Sequence, residues 1–96
     1  MPTSHNRVSA RLLTLCVALQ AMQGQADAVG LGRAVVAVGE TMGRDDPLAQ
    51  ELKCFAIQFP GMRQDPELLS AAGERLFRAV ERSCWPSPVA RADIEG

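Results

Sequence analysis

The side chains best equipped for chemistry in this chain are three cysteines, Cys16, Cys54 and Cys84, while histidine, the commonest catalytic and metal-binding residue, occurs once, at His5. Cys54 and Cys84 form neither a C-x-x-C pair nor a haem attachment motif, and two sulfurs without an imidazole are a poor zinc set. Lys53 stands beside Cys54 and could activate it as a nucleophile, but a lone lysine on a helix is ordinarily a solvated charge. Ser70, Ser83 and Ser87 have no evident base. The acid pairs Asp45-Asp46 and Asp93 with Glu95 read as a helix cap and a tail. GLGR at 30–33 follows no strand, as a phosphate loop would require. The residue inventory therefore points away from an enzyme, a metal site or a cofactor, and towards a binding or structural role.

The elements that must position the cysteines begin with the amino-terminal third. MPTSHNRVSAR carries Arg7 and Arg11 and no acid, and Leu12 to Met22 is an apolar run. Small residues at Ala26 and Ala28 follow. This is the pattern of a signal peptide spanning 1–28 with cleavage before Val29, and the apolar run is about half the ~20 residues that a membrane-spanning helix needs. The expectation is export to a bacterial periplasm or the medium, with no stable membrane anchor after cleavage. Removal of 1–28 takes Cys16 with it and leaves Cys54 and Cys84 in an oxidising compartment, where a bond between them would stabilise a small domain by roughly 3–4 kcal/mol. Two buried free thiols and an intermolecular bridge are the alternatives. The remaining chain is mildly acidic, in keeping with a net charge of −1 for the whole. It has no basic cluster for nucleic acid or anionic membranes, so the expected partner is another protein.

Residues 29–85 read as three to four short helices, an all-α domain. Leu31, Val35, Val38 and Met42 fall on one face of the first, with Gly43 as its cap. Asp46-Pro47 is a helix start, because the carboxylate accepts a first-turn N–H and proline gives up one that had no partner. Leu48, Leu52, Phe55 and Phe59 then share a face, widened by Ala49, Ala56 and Ile57, until Pro60-Gly61 ends the helix. Asp65-Pro66-Glu67 repeats the start. Leu69, Ala72, Leu76, Val80 and Cys84 follow on one face. Trp85, next to the proline-containing tail at 86–96, is the natural anchor for a partner; the tail itself offers no periodic apolar face and reads as flexible.

One conflict is built into this reading. In a plain antiparallel hairpin Cys54 would lie about 8 Å from the turn and Cys84 about 27 Å from it, at roughly 1.5 Å per residue, whereas a disulfide needs Cα atoms about 4.4–6.8 Å apart. A break near Gly73, where glycine weakens a helix by about 1 kcal/mol, would fold the last segment back. A steep crossing of unbroken helices is the alternative.

Asp65-Pro66-Glu67-Leu68-Leu69, then Ala71-Ala72, Leu76-Phe77, Ala79-Val80 and Ser83-Cys84-Trp85-Pro86, resembles the carboxy-terminal part of the small periplasmic immunity proteins that neutralise type VI secretion amidase effectors. The resemblance covers about twenty residues. It implies an exported, mostly helical, disulfide-bonded protein that binds a cell-wall amidase, with a chain break near the start of the last helix. Two alternatives from other binding classes are a periplasmic acid-stress chaperone, also short, helical and held by one disulfide, and a structural accessory subunit of an envelope complex.

Overall fold

The structure, a computed structural model, describes residues 6–84. It is all-α. The helices are α1 (Arg7–Met22), α2 (Ala28–Thr41), α3 (Pro47–Met62) and α4 (Pro66–Cys84). Short loops at 23–27, 42–46 and 63–65 make successive helices antiparallel. Each helix packs on its chain neighbours, and α1 packs on α4 to close the ring, with α2 and α3 forming the loosest seam.

Each start is set by local chemistry. Asn6 accepts the Ser9 N–H at 2.8 Å while the Ser9 hydroxyl oxygen accepts the Asn6 N–H at 3.1 Å, a reciprocal cap that satisfies two otherwise unpaired donors. Asp27, in the Ala-Asp-Ala stretch, accepts the Gly30 N–H at 2.8 Å and caps α2. Asp46 accepts the Leu48 N–H at 2.9 Å ahead of Pro47. Asp65 accepts from Glu67 and Leu68 at 3.1 and 3.2 Å ahead of Pro66. Both Asp-Pro starts are where the sequence puts them. The end of α3 is not, because the helix passes through Pro60 and closes with the Arg63 N–H donated to the Phe59 carbonyl at 3.0 Å. Proline this near a helix end forfeits only one bond, and the buried side chain of Met62 holds the last turn on the core.

Residues 7–22, the body of the expected signal peptide, form a core helix. Ala10, Thr14, Val17, Ala18 and Ala21 are all buried, against α2 and α4. The Thr14 hydroxyl is fully enclosed and donates to the Ala10 carbonyl at 2.8 Å, so no polar group is stranded there. The ends are tied as well. Arg11 Nε donates to Ser83 Oγ at 2.9 Å, and the Ser70 hydroxyl donates to the Met22 carbonyl at 3.1 Å.

The expected break at Gly73 is absent, and α4 runs unbroken from Pro66 to Cys84. Gly73 is buried against α1, where a Cβ would lie 2.7 Å from Ala21 Cβ, 2.8 Å from the Met22 nitrogen and 2.9 Å from the Ala18 carbonyl oxygen. The glycine thus serves close approach between two helices. Burial of Leu69, Leu76, Ala79 and Val80 along α4, at about 1.5–3 kcal/mol for each large side chain, outweighs the ~1 kcal/mol that a mid-helix glycine costs.

The straight α4 also settles the cysteine geometry. Cys54 and Arg75 line one small hollow between α3 and α4, and Cys84 lies about 13 Å further along α4, at ~1.5 Å per residue. That is too far for a bond. The expected Cys54–Cys84 disulfide is not formed, and Cys16, Cys54 and Cys84 are all free and exposed. What holds the bundle is its core, in which Leu48, Leu52, Phe55 and Phe59 of α3 meet Leu69, Leu76 and Val80 of α4 and Leu31, Val38 and Met42 of α2.

Candidate binding groove between α2 and α3

The α2 face is rotated from the expected one. Leu31, Ala34, Ala37, Val38 and Met42 are buried, whereas Val35 is 41% exposed. Small alanines, not Val35, fill the inner positions and bring α2 close to α1. Val35 turns instead to the open seam with α3, where Ile57 is 68% exposed. Between them lies a groove of about 870 Å³, with Val38, Met42, Leu52 and Ala56 on its floor.

The charged side chains of this groove are Arg44 and Lys53, and no acid lines it. Neither cation takes part in an ion pair among the described residues, where the one salt bridge is Arg78–Glu74 at 3.0 Å on the solvent face of α4. Ile57 also lines a second hollow of about 510 Å³ between α3 and α4, with Leu68 and Met62 on its wall and Arg75 as its charged residue. The two hollows together make an apolar path across α3, edged by three cations. A third, polar hollow of about 540 Å³ lies where Arg11, Asp46, Glu51, Arg82 and Ser83 meet. There acids and bases alternate, and Asp46 is occupied with its cap.

Lys53 lies at the apolar groove and Cys54 on the opposite side, towards α4. Cys84 ends α4, remote from both, so the two cysteines do not converge on a site. Trp85, the expected partner anchor, and the tail at 86–96 lie outside the described residues. No group of three or more His, Cys, Asp or Glu side chains is placed to hold a metal ion among the described residues.

The groove residues carry a faint signal in the sequence. Ala49, Ala56 and Ile57 exceed the four apolar positions that one buried face of α3 requires, and that surplus is what the open seam displays. Comparison of the chain with family models, with curated proteins and with solved structures gives no match.

Proposed function

We propose that this chain is a small helical binding protein that works as the intact four-helix bundle and seats an acidic amphipathic segment of a protein partner in the α2–α3 groove. The observation that carries this reading is the composition of the groove: an apolar floor whose lining charges, Arg44 and Lys53, are both positive, in a chain whose net charge is −1. Apolar surface left uncovered beside a filled core marks an interaction site, and charges of one sign at its edge select a partner of the other. A two-fold contact through this groove would place the Arg44 and Lys53 cations of both copies in one interface, which favours an acidic partner over a second copy.

The specific form of this proposal follows the resemblance over Asp65 to Pro86: an immunity protein whose partner is a cell-wall amidase effector, met in the periplasm. Cleavage before Val29 is not part of it, because cleavage there would remove α1 from its place against α4. The test is titration of the purified chain with a purified amidase effector of that class, followed by calorimetry and by amidase activity. Binding with inhibition, lost in Ile57→Glu and Lys53→Glu variants that melt normally, is the expected result. Absence of binding removes the amidase reading, and binding that ignores both substitutions removes the groove.

A further inference from the structure

The chain carries its own acidic segment with an apolar anchor. Within residues 85–96, Asp93-Ile94-Glu95 sets one large apolar side chain between two acids, against a single base, Arg91. The α2–α3 groove has the complementary make-up, an apolar floor whose lining charges, Arg44 and Lys53, are both positive. In an extended segment successive side chains alternate sides, so Ile94 can face the floor while both acids face the other way, where the lining cations can meet them.

Reach favours this groove over the other hollows. Helix α4 ends beside the first turn of α3, where Ser83, Asp46, Pro47 and Gln50 line one hollow. Gln50 lines the α2–α3 groove as well, so the chain leaves α4 only one helix away from it. A helix with its side chains is about 10–12 Å across, and residues 85–92, when extended, span up to about 26 Å. The nearer hollow at Ser83 already holds Asp46 and Glu51, which repel further acids. The α3–α4 hollow with Arg75 lies at the other end of the bundle, and Leu68 on its wall is about 24 Å back along α4 from Cys84, at ~1.5 Å per residue.

We propose that residues 93–95 occupy the α2–α3 groove of their own chain and that a partner's acidic segment must displace them, an inference that rests on the groove's being the binding site proposed above. A tethered segment competes at an effective concentration on the order of mM. A weak self-contact therefore suffices to cover the apolar floor and to turn away weak competitors.

The test is paramagnetic relaxation NMR on the full chain, with a nitroxide attached at Ala92→Cys in a Cys16→Ser, Cys54→Ser, Cys84→Ser background. The methyl signals of Val35 and Met42, which line the groove, should broaden, and those of Leu68 should not. Arg44→Glu with Lys53→Glu should abolish the broadening, and adding Asp93→Lys with Glu95→Lys to that variant should restore it. Restoration separates a charge contact from misfolding. Absence of broadening overturns the proposal, as does broadening that survives Arg44→Glu with Lys53→Glu unchanged. Broadening that appears only between copies, in a mixture of nitroxide-bearing chain and isotope-labelled chain without nitroxide, assigns the groove to a second copy's tail and also overturns it. Titration with the purified amidase effector separates the two claims. Effector binding that is lost in Ile57→Glu and Lys53→Glu, in a chain whose tail never broadens the groove signals, overturns the self-contact and leaves the binding reading in place. Groove broadening that obeys the charge swaps without any effector binding supports the self-contact and removes the amidase.

Discussion

Gly73 of α4 lies so close to Ala21 of α1 that a methyl group on it would come within 2.7 Å of the Ala21 side chain and 2.8 Å of the Met22 backbone nitrogen. The backbone atoms of α1 cannot swing aside. Gly73→Ala should therefore destabilise the protein by about 1–3 kcal/mol, the usual penalty of overpacking, although the same change on an open helix face stabilises by up to about 1 kcal/mol. Gly32 supplies the contrast, since nothing lies within 4 Å of its added Cβ. Gly32→Ala should raise the melting temperature and Gly73→Ala should lower it, as followed by circular dichroism.

The cysteines give a second expectation. All three are exposed and unpaired, so thiol titration of the native chain under non-reducing, inert conditions should find each of them reactive. Cys54→Ser and Cys84→Ser should each shift stability by no more than about 0.5 kcal/mol. A reductant should leave the melting curve where it was. A loss of 2–5 kcal/mol on reduction, the effect of opening a native disulfide, would restore the staple.

Core and surface leucines of α4 should separate cleanly. Leu76 is 1% exposed and Leu68 is 54% exposed. Leu76→Ala removes buried methyl groups and leaves a cavity, a loss of roughly 2–5 kcal/mol, whereas Leu68→Ala should stay within about 0.5 kcal/mol. Urea denaturation of the two variants checks both values.

Asp46 caps α3 through the Leu48 N–H, and Asp46→Ala should cost about 1 kcal/mol. Asn in its place keeps a side-chain oxygen and should recover most of that stability. Equal losses in the two variants, measured by thermal melts, would assign the effect to charge rather than to the cap.

Much of the fold is legible in the sequence because it is written in local chemistry. The two Asp-Pro starts and the apolar face of α3 need only helical spacing and a cap, and the structure has them; on α4 the expected Leu69, Leu76 and Val80 are buried, whereas Ala72 is half-buried and Cys84 exposed. The rest depends on tertiary context. Gly73 reads as a weak point until α1 is known to lie against it, and the apolar run from Leu12 to Met22 does not by itself say that Ala18 and Ala21 pack against the other helices. Val35 is the same kind of case, since helical spacing puts it with Leu31 and Val38 but cannot say that Ala34 and Ala37 take the inner positions. The groove is the least legible part, because it arises where α2 and α3 fail to close, and a gap between elements has no residue pattern of its own.

The proposed function rests on α1 staying in the working protein, and the most direct measurement is the amino terminus and intact mass of the chain isolated from its native host, followed by its thermal melt. The account predicts a chain that retains Arg7 to Met22 and melts cooperatively, while a variant beginning at Val29, with the Gly73 and Leu76 face of α4 uncovered, shows no cooperative transition. A native chain that begins at Val29 and melts cooperatively would contradict it.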